Sequence, residues 1–294
     1  MLETLVEGVA RRWPDRLAVV DGDRRLTYAQ LRAAQAEAAT GLLASGLKPG
    51  DRLAVLTPNC EELIITYHAA FEAGVIVVPI NTRLAPAGVE YVLQHSGSAG
   101  LVVHHSLMDR LPAAAGDHAR RTWVIGGDDA TFHALRAHGA APSPSPGDPS
   151  LPAAILYTSG TTSKPKGVTH SHASLWHTAS NQAWTQGFGA DDIHLVSLSA
   201  AHIAAFAGQV LCAAFAGGRV VLIADPTPAD LLQVIIRERP TYLQMTPAIL
   251  AETLDEVTDP AQLAIVRCCI AGGDQVPRAT HEHFEQITGQ GEIG

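Results

Sequence analysis

The run VIVVPI at residues 75–80 constrains the fold most. It is nearly continuous in β-branched residues, with no polar position to turn toward water. As a strand it must be covered on both faces, which is the situation of a parallel strand between helical layers. The neighbouring stretches support this. Residues 28–45 open with the capping-box pattern Thr27-x-x-Gln30 and stop at Gly46, which predicts a helix. Residues 53–56 read as a short strand, and Asn59 and Glu62 cap a helix that runs to Ala73 and stops at Gly74. Pro86 starts another helix, and residues 101–103 form another strand. Before these, a short amphipathic helix carries Leu2, Leu5, Val6 and Val9 on one face, and two strands flank the Asp21-Gly22 turn. The same alternation returns later. Strands are predicted at 153–157, 193–198, 219–223, 241–245 and 265–270. Helices are predicted from Ala173, over 203–216 and 228–238, after Pro247 and from 278. The predicted class is α/β: two βαβ-type halves with mostly parallel sheets flanked by helices. The stretch GAAPSPSPGDPSLP (139–152) buries little apolar surface and reads as a linker or long surface loop. It divides a first subdomain, 1–138, from a second, 152–294, with 139–151 between them.

The second half carries the densest chemistry, YTSGTTSKPKGV at 157–168, directly after the apolar run 152–156. Hydroxyls (Tyr157, Thr158, Ser159, Thr161, Thr162), glycines (Gly160, Gly167) and lysines (Lys164, Lys166) stand together. Such a loop can offer backbone N–H groups, hydroxyls and cations to a polyanion. A plain surface loop uses the same residues. Against that reading, Pro165 stiffens the segment between its two lysines, and the loop leaves a strand directly. The Walker pattern is excluded, because Pro165 stands where its second glycine belongs and Val168 follows Gly167.

The stretch closely resembles the signature loop of the adenylate-forming superfamily of acyl-CoA synthetases, peptide-synthetase adenylation domains and luciferases, T-S-G-T-T-G-x-P-K-G. Thr158, Ser159, Gly160, Thr161, Thr162, Pro165, Lys166 and Gly167 match, and Ser163 stands where the family usually has glycine. The resemblance extends over nearly the whole chain, through LTYAQL (26–31), FEAGVIVVPINTRLAPAGVEYVL (71–93) and ADLLQVIIRERPTYLQMTPAIL (229–250). Asn81, Arg83 and Leu84 resemble the acyl-CoA ligase branch. The resemblance implies the large N-terminal domain of an acyl-CoA synthetase. Such an enzyme takes a fatty or other carboxylic acid and ATP to an acyl-adenylate and pyrophosphate, with Mg²⁺ balancing the phosphate charge. It then passes the acyl group to CoA; a carrier protein in place of CoA stays open. By the same resemblance, Thr158, Ser159, Gly160, Thr161, Thr162 and Lys164 wrap the β- and γ-phosphates, and Lys166 acts in catalysis. Gly272, Gly273 and Asp274 lie beside the adenine and the acyl carboxylate. His202, in SLSAAHIAAF, matches a histidine lining the channel between acyl pocket and thiol acceptor, with Ser199 and Ala201 replacing the usual proline and aromatic. A half-buried histidine at a helix start is the equal alternative. The small residues Ala200, Ala201, Ala204, Ala205, Ala207 and Gly208 fit either close helix packing or a wide acyl pocket; Ala205→Trp is the substitution expected to separate the two.

The 14 histidines raise the question of a metal. His170-x-His172 and His281-x-His283 lack a third ligand in sequence, so no metal site is expected, and His172 reads as structural. The formal net charge of −9 speaks against nucleic acid and anionic membranes as partners. Cys60, Cys212, Cys268 and Cys269 show no C-x-x-C spacing, and the last two read as buried thiols, which fits a reducing cytoplasm. No run has the length of a membrane span, and the first residues lack a signal-peptide core. The ending ITGQGEIG comes about where the family continues into a Y-G-x-T-E segment, a ribose-binding T-G-D segment and a small domain with a catalytic lysine. An N-terminal fragment of the enzyme is therefore expected. The alternative is a non-catalytic remnant that at most binds nucleotide, whose uncovered surface would make it unstable or oligomeric. A phosphate-loop NTPase unrelated to acyl activation is disfavoured by the failed Walker spacing.

Overall fold

The computed structural model describes residues 1–112, 121–139, 147–158 and 164–289. Within them the chain forms strands β1 (Leu17–Asp21), β2 (Arg24–Thr27), β3 (Arg52–Leu56), β4 (Ile76–Pro79), β5 (Gly100–His104) and β6 (Thr122–Ile125). Strands β7 (Pro152–Thr158), β8 (Lys166–Ser171), β9 (Ile193–Val196), β10 (Arg219–Leu222), β11 (Tyr242–Met245) and β12 (Cys268–Ala271) follow. They assemble two sheets in the orders β12-β11-β9-β10-β1-β2 and β6-β5-β3-β4-β7-β8. Every pairing is parallel except two edge hairpins, β1 with β2 and β7 with β8. This is the mostly parallel α/β architecture expected. Each sheet takes strands from both sides of residues 139–151, so the sheets cut across the division read there.

Three apolar clusters alternate with the two sheets. The largest lies between them. It joins one face of each sheet to helices α1 (Leu5–Arg12), α2 (Tyr28–Ala44) and α3 (Glu61–Ala73) and to the later helix α6 (His172–Gln186). The other face of the first sheet is covered by α9 (Pro228–Glu238), α10 (Pro247–Asp255) and α11 (Arg278–Thr288). The other face of the second sheet is covered by α4 (Pro86–Ser96). Residues of β4 are accordingly buried on both faces, as their composition required.

Local signals acted as expected in several places. Thr27 Oγ1 accepts from the Gln30 N–H at 3.2 Å, and Gln30 Oε1 accepts from the Thr27 N–H at 2.8 Å, which closes the capping box. Gly74 ends α3 with φ +68°, a left-handed conformation that glycine adopts without strain. Gly41 serves contact instead. A Cβ there would lie 2.0 Å from the Leu135 carbonyl oxygen of the short α5 (His133–Arg136), so only glycine lets the two backbones meet. Cys268 and Cys269 are successive strand residues that face opposite sides of β12. Cys269 is buried in the outer cluster, while Cys268 is only half-buried and packs against the central one. All four cysteines are free thiols.

Candidate active site

Parallel strands end on one side of a sheet, and the crevice outside their carboxyl ends is where open α/β sheets bind ligands. Here that crevice is a cavity of about 450 Å³ between the two sheets. From the second sheet it is lined by the segments after β3 (Pro58, Asn59) and β4 (Asn81, Thr82, Arg83). From the first sheet come Ser197, Leu198 and Ser199 after β9, Ala224 and Asp225 after β10, Gln244–Thr246 around the end of β11, and Gly272 and Gly273 after β12. Most of its wall is apolar, with amide and hydroxyl groups distributed among the strand ends. Asp225 has φ +43°, a non-glycine residue held in the left-handed region at the cavity wall. It pairs with Arg83 across the mouth at 3.5 Å.

The structure thus brings His202, Gly272 and Gly273 to one cavity, together with Gln244. His202 is exposed and is the N-cap of the helical segment that begins with α7 (Ile203–Ala205). Asp274 is exposed and stands outside this lining; its carboxylate accepts from the Gln275 N–H at 2.8 Å. The small-residue segment divides. Ala200, Ala205 and Ala207 are fully buried in the central cluster, while Ala204 lines the cavity. Close packing therefore holds for the first three, and the test substitution Ala205→Trp belongs at Ala204 instead. After Ala205 the chain continues as a π-helical stretch, Phe206–Leu211, and then α8 (Cys212–Ala216). Such widened turns are frequent beside functional sites. This one carries Gly208, where a Cβ would come 3.5 Å from Gln244 Oε1, and it is tied to β9 by the Gln209 amide, which donates to the Leu195 carbonyl at 2.7 Å.

Asn59 was expected to cap α3, but that position falls to Cys60, which makes no side-chain cap bond. The buried Asn59 amide instead crosses between the sheets. Its Nδ2 donates to the carbonyls of Val196 (3.1 Å), Leu198 (2.9 Å) and Ile223 (3.1 Å), and its Oδ1 accepts from the Ala200 N–H at 3.0 Å. One side chain from the end of β3 thereby fixes the ends of β9 and β10 and the approach to His202.

The lysine-bearing hairpin leaves the second sheet on the same side. β7 runs parallel to β4, with Val77 opposite Ala154, so Thr158 emerges beside the segment that carries Asn81 and Arg83. Thr158 pairs with Lys166 at the base of the β7–β8 hairpin. Ser159, Gly160, Thr161 and Thr162 lie outside the described residues. Lys164 and Lys166 are both exposed, and the Lys164 ammonium sits 5.8 Å from the centroid of the Tyr91 ring. The strand β8 itself had no signal in the sequence, because KGVTHS is largely exposed and lacks the alternation of a half-buried strand. His170 lies in that strand and His172 opens α6. His172 is buried against Phe71, with Nδ1 3.5 Å from Glu3 Oε2, and burial holds its pKa below the usual histidine range. Among the described residues no three side chains of His, Cys, Asp or Glu come together as a metal site.

Comparison with known proteins agrees with this geometry. The AMP-binding enzyme family profile matches residues 6–294. The chain is 35% identical over 267 residues to the long-chain-fatty-acid–CoA ligase FadD13 of Mycobacterium tuberculosis, covering 87% of this chain and 52% of that protein. It is 34% identical over 264 residues to the salicyl-AMP ligase/salicyl-S-ArCP synthetase of the same species, covering 84% of this chain and 47% of that one. The chain thus spans about half the length of these curated relatives. The inhibitor-bound N-terminal domain of FACL13 from M. tuberculosis superposes with a TM-score of 0.87 at 30% identity, covering 97% of this chain and 73% of that domain. With its two-sheet fold, its hydroxyl- and lysine-rich loop and a profile match from residue 6 onward, this chain belongs to the family of AMP-binding enzymes.

Proposed function

We propose that the chain carries the nucleotide-facing and acyl-facing half of an ATP-dependent acyl-CoA synthetase that acts through an acyl-adenylate. The observation that carries this reading is the joining of two features at one sheet edge. A largely apolar cavity holds His202, Gly272 and Gly273, and the hairpin bearing Lys164 and Lys166 leaves the neighbouring strand. In the first step a carboxylate oxygen attacks the α-phosphorus of ATP, the bond to the β-phosphate oxygen breaks, and pyrophosphate leaves. The loop lysines and hydroxyls stabilise the charge on that leaving group, as preorganised donors do in phosphoryl transfer. In the second step the CoA thiol attacks the acyl carbonyl, its proton is lost to a base, and AMP departs. His202 lies at the cavity wall and is exposed, which supports giving it the role of meeting the thiol or the acyl group. Mg²⁺ bound with the nucleotide would balance the phosphate charge in this scheme.

Four free thiols accord with a reducing compartment such as the cytoplasm. Among the described residues no helix is long and apolar enough to cross a membrane. The reading is tested by carboxylate-dependent ATP–pyrophosphate exchange in the full-length protein. Lys166→Ala combined with Thr161→Ala should abolish exchange, and full retained exchange refutes the assignment. Supplying either CoA or a pantetheinylated carrier protein to the pre-formed adenylate identifies the acceptor.

A further inference from the structure

The base of the lysine-bearing hairpin is gripped from the side by α4. Tyr91 and His95 are four residues apart on that helix and so share a face. Their rings stack with centroids 5.2 Å apart and planes 24° apart. Tyr157, on β7, meets His95 edge-on at 5.7 Å, and its hydroxyl lies 2.8 Å from His95 Nδ1. Tyr91 reaches the other arm of the hairpin, where its hydroxyl donates to the Pro165 carbonyl at 3.1 Å, and its ring lies under the Lys164 ammonium. Tyr157 also covers its strand partner Gly167. A Cβ at 167 would come 3.1 Å from Tyr157 Cζ and 2.9 Å from Ile155 Cγ2, so a side chain there would have to displace the Tyr157 ring or Ile155. Three aromatic side chains therefore touch both arms of the hairpin and one of its two lysines. The Tyr91 and Tyr157 rings also pack against the apolar cluster below.

We propose that Tyr91, His95 and Tyr157 form a positioning latch that sets the direction of Lys164 and of the paired residues Thr158 and Lys166 toward a bound polyphosphate. The proposal rests on the reading above that nucleotide phosphates meet this hairpin. The Pro165 carbonyl bond fixes the backbone between the two lysines. The Tyr91 ring limits the Lys164 side chain to the α4 side of the hairpin. Lys164 is itself exposed, so the ring holds its cation weakly and Lys164 transfers to a polyanion at little cost while its search is restricted. The latch therefore acts on ligands that carry a β-phosphate and leaves monophosphate recognition alone.

The test uses calorimetric titration of the chain with Mg·ATP, pyrophosphate and AMP. Tyr91→Phe keeps the ring and removes only the hydroxyl; it should weaken Mg·ATP and pyrophosphate about fivefold. Tyr91→Leu should weaken both about tenfold or more, and neither variant should change AMP affinity. Lys164→Gln, a change at an exposed side chain, should weaken the same two ligands. In the Tyr91→Leu background it should do so by a smaller factor, because the ring acts through the lysine. Circular dichroism melts confirm that each variant is folded. If Tyr91→Leu does not fold, the isosteric Tyr91→Phe decides alone by its selectivity. Equal weakening of AMP, unchanged Mg·ATP affinity, or fully multiplicative Tyr91 and Lys164 effects overturn the latch. A wild-type chain that binds neither Mg·ATP nor pyrophosphate overturns the underlying reading and the latch with it. A wild type that binds both, with variants that bind equally well, overturns the latch only.

Discussion

Asn59→Ala measures how much of the cavity depends on one side chain. The amide serves three carbonyls and one N–H from segments 137 to 164 residues away in the chain. Two amide protons shared among three carbonyls, plus the Ala200 bond, amount to about three full hydrogen bonds at about 1 kcal/mol each. Asn59 and Leu198 line the cavity, so water can reach part of what the alanine leaves unpaired. That keeps the loss at about 3 kcal/mol, short of the full penalty for four buried orphans. For a chain of this length, such a loss lowers Tm by about 5 °C. Asn59→Asp sharpens the test, because it replaces the donor NH₂ with an oxygen aimed at three carbonyl oxygens. That carboxyl should titrate above the ordinary aspartate range in the folded state. Its destabilisation is then fully present at pH 8 and shrinks as pH falls through the folded pKa, where the group takes up a proton. Thermal melts of wild type, Asn59→Ala and Asn59→Asp at pH 8 and pH 5 provide the assay. An unshifted alanine melt, or an aspartate variant no worse than alanine at pH 8, refutes the bracket.

Other consequences are as direct. Ala204→Trp should shorten the longest accepted acyl chain in the full-length enzyme while leaving the melt near wild type. Ala205→Trp, in the packed core, should cost about 1–3 kcal/mol or more and be read in the melt. Gly41→Ala, which elsewhere in a helix would gain stability, should lose more than about 1 kcal/mol because its methyl would meet the Leu135 carbonyl. His68 and His194 are buried and neutral, with pKa values pushed down to about 4 by burial. The unfolded chain therefore binds more protons between pH 6.5 and 4. Stability is full above pH 6.5 and falls as pH drops toward 4, and His68→Leu combined with His194→Leu should flatten that slope in pH-dependent denaturation.

Much of the fold was legible because it depends on short-range patterns. The buried run at 75–80, the capping box at Thr27 and the glycine stop at Gly74 each reflect a local rule that the tertiary structure obeys. The loop at 157–168 stands out in the sequence because hydroxyls, glycines and lysines crowd into one stretch, of which residues 159–163 lie outside the described residues. Contacts between distant segments left no such mark. Asn before a helix commonly caps it, and nothing near Asn59 in the sequence reveals that its partners are the ends of β9 and β10. Strand β8 is an exposed edge whose pairing comes from β7 rather than from its own apolar pattern. Tyr91 and His95 carried no signal of their own in the sequence, since a contact with a hairpin more than sixty residues later has no local signature. The small-residue stretch gave the composition of both a wall and a core, and only the helix's rotation divides Ala204 from Ala205.

The interleaving of strands has a consequence for how the molecule is made. On the second sheet, β3, β4, β5 and β6 are adjacent in both space and sequence, so that portion can assemble soon after it leaves the ribosome. The first sheet cannot. Val19 pairs with Val220, so β1 waits for about 200 residues of further synthesis before its parallel neighbour exists. At about 5–20 residues per second that is a delay of tens of seconds. During it the β1–β2 hairpin has an unpaired edge and lies against α2 and α3. The earliest segment of the chain is thus among the last to be completed. The first sheet is also where translation rate, chaperone occupancy and aggregation would be coupled most strongly.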